Sequence, residues 1–218
     1  MTVQVPIPDF AAARRAMIDS QLRPVGVTDA AVLAAMDSVP REQFVPETVR
    51  PLAYADRSLS LGGGRFLAAP AVLGQLLTEM VPAPGERALV IGAGTGYSAA
   101  VLAAIGCDVV ALESSAELAA RAGELGVRMV EGPLEAGHKA GAPYDLVLID
   151  GAVEQLPDTI IAQLADGGRL GAALGDRGTT RLIVGQKVAG AFGYLSIADA
   201  GVAPLPGFSR PRPFTFER

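Results

Sequence analysis

The sequence predicts an α/β fold with a doubly wound, mostly parallel sheet of Rossmann type. From Arg87 onward, short β-rich runs alternate with segments of helical periodicity, the pattern of a parallel sheet with helices on both faces. The last two runs, 181–188 and 192–199, are separated by a short glycine-containing turn and predict an antiparallel hairpin. We expect the other strands at 87–92, 108–113, 127–131, 144–150 and 169–174, and helices at 96–105, 115–125 and 156–165.

The N-terminal part predicts helices. Asp9 and Thr28 are candidate N-caps of two helices that end at Pro24 and Pro40. Pro70 is well placed to begin a third helix. The stretch between, 46–64, has no clear period and predicts irregular chain. We therefore expect one domain, with a helical cap over 1–84 and a Rossmann-like core over 85–218.

Composition excludes several classes of protein. Half of the residues are hydrophobic and 19% are charged, which argues against disorder. The net charge of −5, with no lysine or arginine cluster, argues against nucleic acid as a partner, and no apolar run is long enough to span a membrane. A single cysteine, Cys107, and a single histidine, His138, exclude an internal disulfide and a multi-histidine zinc site. The N-terminus lacks the pattern of an export signal, so we expect a cytoplasmic protein.

A glycine-rich loop at 92–96 indicates the ligand. Glycines between a strand and a helix permit tight turns and let the backbone approach a nucleotide-type ligand. The dinucleotide fingerprint requires a glycine where Tyr97 stands, which disfavours a nicotinamide oxidoreductase. The spacing G-x-G-x-G is instead common among S-adenosylmethionine (SAM) dependent methyltransferases. SAM is therefore the expected cofactor.

Two acids are expected at the same edge of the sheet. Glu113 ends the second strand, about 20 residues after Gly92, where a carboxylate commonly accepts hydrogen bonds from ribose hydroxyls. Asp150 ends the fourth strand and is either a ligand contact or an ordinary loop residue. No nucleophile–histidine–acid set is evident. Methyl transfer to a carboxylate needs no general base, because a carboxyl group with a pKa of about 4 is ionised at neutral pH.

Two further segments have open interpretations. Three glycines at 62–64 precede Arg65 and form either a lid over the site or a flexible connector. In the proline-rich tail, Phe208, Phe214 and Phe216 are expected to pack on the core.

The chain resembles the protein-L-isoaspartate O-methyltransferase family over nearly its full length. The resemblance rests on seven segments, which are 17–26 (MIDSQLRPVG), 39–46 (VPREQFVP), 53–56 (AYAD), 94–102 (GTGYSAAVL), 142–145 (APYD), 156–157 (LP) and 163–170 (QLADGGRL). It implies a seven-stranded sheet, SAM as methyl donor and a carboxylate of an isoaspartyl residue in a damaged protein as acceptor. We expect a monomer or homodimer that acts on proteins or peptides.

The resemblance also implies the residues of the site. The donor residues are expected to be Gly92, Ala93, Gly94, Thr95, Gly96, Tyr97, Glu113, Pro133, Leu134 and Asp150. The acceptor residues are expected to be Leu59, Arg65, Phe66 and Ala68. No catalytic side chain and no metal ion are expected, because the chemistry is the positioning of two reactants.

Three departures from the family pattern bear on activity. Phe66 and Ala68 replace a threonine and a serine whose hydroxyls face acceptor and donor in the family. Val90 stands where an acid normally precedes the glycine loop, and Pro133, which lacks a carboxylate and an N–H, replaces an aspartate of the adenine region. Arg65 offers a carboxylate clamp in compensation. Two alternatives stay open, a methyltransferase of the same fold with another acceptor and a binding protein without turnover.

Overall fold

The computed structural model describes residues 9–176 and 179–210. The strands in these ranges are β1 (Leu59–Gly62), β2 (Arg65–Leu67), β3 (Arg87–Ile91), β4 (Asp108–Glu113), β5 (Met129–Glu131), β6 (Tyr144–Val153), β7 (Leu164–Asp176), β8 (Thr179–Val188) and β9 (Ala191–Asp199). The α-helices are α1 (Phe10–Met17), α2 (Ala30–Ser38), α3 (Pro70–Met80), α4 (Tyr97–Ile105), α5 (Ala116–Glu124) and α6 (Asp158–Ile161). Short turns of 3₁₀ helix lie at Arg23–Val25, Arg41–Phe44, Glu47–Leu52, Leu134–Ala136 and Lys139–Gly141, and a π-helical turn at Ile18–Leu22 extends α1.

The main sheet has seven strands in the order β5-β4-β3-β6-β7-β8-β9. Strands β3 to β7 pair in parallel, and Ile91 of β3 lies between Leu112 of β4 and Ile149 of β6. Strands β8 and β9 add an antiparallel hairpin to one edge. The predicted fold class and the predicted hairpin are confirmed. In the ranges that the structure describes, no helix has both the length and the apolar content to cross a membrane.

Local sequence signals explain several helix ends. Pro70 occupies the first turn of α3, and α4 ends at Gly106, whose φ of +108° suits only glycine. Asp9 caps α1 as predicted, because its carboxylate accepts a hydrogen bond from the N–H of Ala12 at 3.0 Å. The predicted cap Thr28 is wrong. Asp29 caps α2 instead, since its carboxylate accepts a hydrogen bond from the N–H of Val32 at 2.9 Å.

Two predicted segments differ from the structure. The stretch 46–64 is not irregular, because it contains a 3₁₀ turn and strand β1, which pairs with β2 as an antiparallel hairpin. These strands of four and three residues are too short to show a period. The predicted helix 156–165 shrinks to Asp158–Ile161, since the chain enters β7 at Leu164. The cap thus contains a β-hairpin besides its helices, and the proposed division after residue 84 stays an interpretation.

The hydrophobic core has one cluster on each face of the sheet. Alternate residues of β3 enter different clusters, with Val90 on the face of the cap and Ile91 on the other. The second cluster includes Leu205 and Phe208 from the C-terminal segment. Phe208 is 1% exposed, so its predicted packing on the core is confirmed. Phe214 and Phe216 lie outside the described residues.

Candidate functional site

The loop between β3 and α4 makes a tight glycine turn at the carboxyl end of the parallel strands. Gly92, Gly94 and Gly96 have φ values of +74°, +57° and +93°. A Cβ atom would meet Leu205 at 2.9 Å at Gly92, and Leu61 at 2.8 Å at Gly94. These positions therefore require glycine for two reasons, the left-handed backbone and the close approach of other side chains.

Three side chains of the segment 92–97 face the cap. The Thr95 hydroxyl donates a hydrogen bond to the backbone carbonyl of Phe44 at 2.5 Å. Tyr97 is fully buried, and its ring meets the Phe44 ring edge-on at 5.5 Å. Ala93 is also buried in the core on the cap side. Of the predicted donor residues, these three thus anchor the loop to the cap with their side chains.

Glu113 is fully buried at the end of β4, and its carboxylate joins three segments of chain. Oε2 accepts a hydrogen bond from the N–H of Gly94 at 2.8 Å. Oε1 accepts from the N–H groups of Ser114 and Ser115 and from Nη1 of Arg65 at 2.5 Å. The predicted ribose acid is therefore positioned beside the glycine loop, with an arginine already bound to one of its oxygens.

Arg65 lies over the glycine loop. Its side chain is 6% exposed, and its Nη2 donates to the backbone carbonyl of Gly92 at 2.9 Å. Leu205 packs against Gly92 from the C-terminal segment, which runs beside β6 through hydrogen bonds to Ala152. Together the side chains of Arg65 and Leu205 cover the loop. A cavity of only about 10 Å³ remains beside them, room for about one water molecule.

Asp150 lines this cavity from the sheet. It lies where the register of β6 on β7 is interrupted, between Leu148 and Ala152. Such irregularities re-aim side chains and are common next to functional sites. Its Oδ2 accepts a hydrogen bond from the Ser98 hydroxyl at 2.6 Å. Burial raises the pKa of the Asp150 carboxyl above its ordinary value, and the Ser98 hydrogen bond opposes that rise.

The predicted acceptor residues divide into two groups. Arg65, Phe66 and Ala68 line the cavity together with Asp150, and Phe66 is 41% exposed. Leu59 is buried in the cap-side core instead, opposite Leu67 in the hairpin. The structure thus brings three of the four residues together at one place.

The predicted adenine region lies under the C-terminal segment. Pro133 precedes a short 3₁₀ turn, and Leu134 is buried in the same cluster as Phe208. Gly207 approaches Glu135 so closely that a Cβ atom there would meet its carboxylate at 2.6 Å. Access to Leu134 is therefore limited by the segment that carries Leu205 and Phe208.

Sequence reasoning missed three residues of the site. Arg41 is 1% exposed and donates to the backbone carbonyls of Ala53 and Ala68 at 2.7 and 2.6 Å. Its burial lowers the pKa of the guanidinium. Ser98 holds Asp150, and Leu205 covers the loop. The only signals were the position of Arg41 in the segment VPREQFVP and that of Ser98 in the first turn after the glycine loop.

Comparison with known proteins points to one family. The family model described as protein-L-isoaspartate(D-aspartate) O-methyltransferase matches residues 12–197. The protein-L-isoaspartate O-methyltransferase of Herpetosiphon aurantiacus is 37% identical over 89% of this chain and 90% of its own length. The relative of the same name from Gloeobacter violaceus is 43% identical over 71% of this chain and 78% of its own length.

Two solved structures share the fold. A protein-L-isoaspartate O-methyltransferase superposes with a TM-score of 0.79 and 25% identity, over 89% of this chain and 66% of that one. A second from Plasmodium falciparum, solved in complex with S-adenosyl-L-homocysteine (SAH), superposes with a TM-score of 0.77 and 19% identity, over 91% of this chain and 99% of that one. From the family match over 12–197 and the identity to curated relatives, the chain belongs to the protein-L-isoaspartate(D-aspartate) O-methyltransferase family.

Proposed function

We propose that this protein is a SAM-dependent methyltransferase that transfers a methyl group to a carboxylate of L-isoaspartyl residues in damaged proteins. One observation carries the proposal. A glycine loop at the end of β3 and a buried acid, Glu113, at the end of β4 lie within one hydrogen bond of each other in a chain of this family. That pairing is the usual cradle of a nucleoside at the carboxyl edge of a doubly wound sheet.

The polar groups of the loop fit SAM. A carboxylate has about four acceptor positions, and among the described residues Glu113 Oε2 accepts only from Gly94. It therefore keeps capacity for a ribose hydroxyl. Gly92 presents backbone without a Cβ, and the groups over it are the flexible ends of Arg65 and Leu205. We propose that the 92–97 loop, Glu113 and Asp150, with Pro133 and Leu134 at the far end, hold the donor once those side chains withdraw.

The acceptor needs positioning rather than activation. Bound SAM supplies an electrophilic methyl group on a sulfonium, and a carboxylate attacks it without a general base. The protein then holds two reactants in line, an effect large enough to carry much of the rate. Phe66, 41% exposed, offers an apolar surface to a peptide, and Arg65 offers two parallel donors to a carboxylate. We propose both as acceptor contacts.

We also propose the class of substrate on which this protein acts. The relatives named above are methyltransferases of isoaspartate in proteins, and a protein or peptide is the substrate proposed for this chain. A net charge of −5 disfavours nucleic acid. A cytoplasmic monomer or homodimer stays a prediction from the sequence.

A second candidate is a methyltransferase of the same fold with a different acceptor. The observation that favours it is the lining of the cavity, where an acid, Asp150, lies beside Phe66 and Ala68. A carboxylate in that place repels an anionic acceptor and suits one that carries an N–H or O–H proton.

The decisive experiment measures methyl transfer from labelled SAM to an isoaspartyl peptide and to its aspartyl twin. The main proposal expects transfer to the isoaspartyl peptide alone. Transfer to neither peptide, with SAH still bound, favours the second candidate or a binding protein without turnover.

A matched pair of glycine variants tests the donor site. Gly92→Ala places a Cβ against Leu205 on a left-handed backbone, whereas Gly123→Ala in α5 meets nothing within 4 Å. We expect the first to weaken SAH binding by about 10-fold or more, because the free loop relaxes from the left-handed conformation and binding must restore it at roughly 1–2 kcal/mol. The second is expected to leave binding unchanged. Calorimetric titration with SAH measures both, and equal affinities would contradict the proposed cradle.

A further inference from the structure

We propose that Arg65 is a switch residue that couples donor binding to acceptor binding. In the present conformation its guanidinium is bound to Glu113 and Gly92. When a ribose takes Glu113, the guanidinium turns to the carboxylate of the acceptor. This inference rests on the proposed function. It makes Arg65 the residue through which donor binding favours acceptor binding.

The first step is competition at the donor cradle. Nη1 of Arg65 binds Oε1 of Glu113, and Nη2 binds the carbonyl of Gly92. A Cβ built on Gly92 would lie 3.1 Å from Nη2, so the guanidinium is in contact with the face of the loop that a ligand must approach. Oε2 of Glu113 is open to a ribose hydroxyl, but a donor there needs the space over Gly92 that the guanidinium fills, so the donor and Arg65 in its present position exclude each other.

The second step is the need for a new anion. Arg65 is 5% exposed, and a buried guanidinium that loses its carboxylate is costly. The same side chain lines the cavity with Phe66, Ala68 and Asp150. Asp150 is a weak substitute for Glu113, because Ser98 occupies one of its oxygens and burial raises the pKa of its carboxyl. Once the guanidinium has turned and widened this cavity, an acceptor carboxylate there offers both oxygens to the arginine fork.

The third step is freedom to move. Arg65 begins β2 directly after three glycines with φ values of +96°, +56° and +75°. A Cβ atom at any of these three glycines would meet nothing within 4 Å, so the turn is not packed against the rest of the protein. The turn that leads into Arg65 can therefore shift without displacing a neighbouring segment.

The switch makes a thermodynamic prediction. If donor binding releases Arg65 for the acceptor, each ligand raises the affinity of the other by the same factor. Coupling of this kind is typically about 5- to 150-fold. The acceptor side of the coupling should depend on the guanidinium fork of Arg65 and not on charge alone.

The test is calorimetric titration of the full chain with an isoaspartyl peptide, with and without saturating SAH. For the natural sequence we expect SAH to lower the peptide Kd by about 5-fold or more. For Arg65→Gln we expect the same peptide Kd in both conditions and tighter SAH binding than in the natural sequence. Arg181→Gln removes an exposed ion pair with Asp199 on the antiparallel hairpin and serves as the matched control, with coupling retained.

Other outcomes separate the switch from a structural role. If Arg65→Gln weakens the binding of SAH and peptide alike, Arg65 is a structural support and the switch is overturned. Arg65→Lys, which keeps the charge and loses the fork, provides the second variant if Arg65→Gln does not fold. It is expected to retain SAH binding and to lose most of the coupling, and full coupling in this variant would also overturn the switch.

These titrations, read together with the methyl-transfer assay, distinguish this inference from the proposed function. Methyl transfer to the isoaspartyl peptide without any coupling would overturn the switch and leave the proposed function standing. Coupling between SAH and peptide without methyl transfer would support the switch and contradict the proposed function. The aspartyl twin peptide should show no coupling, and coupling with it would overturn recognition of the isoaspartyl carboxylate.

Discussion

Arg41 and Arg65 are both buried in the cap, and they are held in different ways. Arg41 donates to two backbone carbonyls, those of Ala53 and Ala68, and lies 4.9 Å from the centre of the Tyr97 ring. Arg65 binds a carboxylate and one carbonyl at the glycine loop. The first arginine ties protein to protein, and the second occupies groups that a ligand also uses.

The difference shows how a buried cation indicates its role through its partners. The carbonyls of Ala53 and Ala68 lie inside packed segments where no ligand competes for them. We therefore expect Arg41 to keep its present position when a ligand binds. The Glu113 carboxylate lies at the carboxyl edge of the parallel strands beside the glycine loop, and its Oε2 keeps capacity for a ribose hydroxyl, so a ligand there competes with Arg65 for the same site. Both arginines are almost fully buried, so burial alone would indicate a structural role for each.

The largest effect should come from breaking the exchangeable pair. Glu113→Ala leaves the Arg65 guanidinium buried without its carboxylate, and we expect a loss of about 3–5 kcal/mol in the free energy of unfolding. Urea denaturation measures it. The double variant Arg65→Ala with Glu113→Ala should recover part of that loss, and strictly additive effects would show that the two side chains are not coupled.

We expect a smaller loss in the free energy of unfolding when Arg41, with its several N–H groups in a fork, is replaced by lysine, which has a single ammonium group. Arg41→Lys cannot serve the carbonyls of Ala53 and Ala68 together or lie flat over Tyr97, and one buried carbonyl is left unsatisfied. We expect a cost of about 2 kcal/mol by the same denaturation measurement. SAH affinity should change less than in Glu113→Ala, and an equal change would remove the distinction between the two arginines.

The pH dependence of Asp150 tests the polarity of the cavity that Arg65 lines. Its pKa is raised above the ordinary 3.8, so the folded protein holds that proton to higher pH than the unfolded chain does. The natural sequence therefore loses stability as pH rises from about 4 through the folded pKa, at a rate of up to about 1.4 kcal/mol for each pH unit. Relative to it, Asp150→Asn should gain stability over that window. Thermal unfolding of both from about pH 4 to about pH 7 measures the difference, and a constant difference would contradict a desolvated carboxyl.

The smallest effect is expected at the exposed ion pair of the antiparallel hairpin. Arg181 and Asp199 are joined at 3.2 Å with side chains 62% and 74% exposed. Asp199→Ala should change the free energy of unfolding by less than about 1 kcal/mol, because water and salt screen the pair. A loss as large as that of Glu113→Ala would mean that burial does not separate these arginine–carboxylate pairs.

Most of the fold can be predicted because the parallel strands are continuous apolar runs between glycine turns. The predicted strands at 87–92 and 108–113 agree with β3 and β4 to within one residue. The hairpin of β1 and β2 is missed, since seven residues cannot show a period. The cap of α2 falls on Asp29 instead of Thr28, because both residue types form caps and only geometry separates them.

The site can be predicted only where its residues are close in sequence. The spacing from Gly92 to Glu113 follows from one strand–helix–strand unit, and the hydrogen bond between Gly94 and Glu113 reflects it. The pairing of Arg65 with Glu113 joins segments from different parts of the fold. So does the packing of Leu205 on Gly92. No local sequence pattern predicts either contact, because each contact forms only when the cap and the C-terminal segment pack over the sheet.

The two hydrogen bonds of Arg41 have a further consequence for motion. Ala53 and Ala68 mark the two ends of the excursion that contains β1 and β2, and one side chain ties both ends together. These two hydrogen bonds close a loop without a covalent bond. They fix the two ends of the loop and leave the residues between them to be ordered by their own contacts. A two-stranded hairpin by itself is marginal in water. Amide hydrogen exchange should therefore be slow at both ends of the excursion and fast at the exposed glycine turn, 62–64, between its two strands.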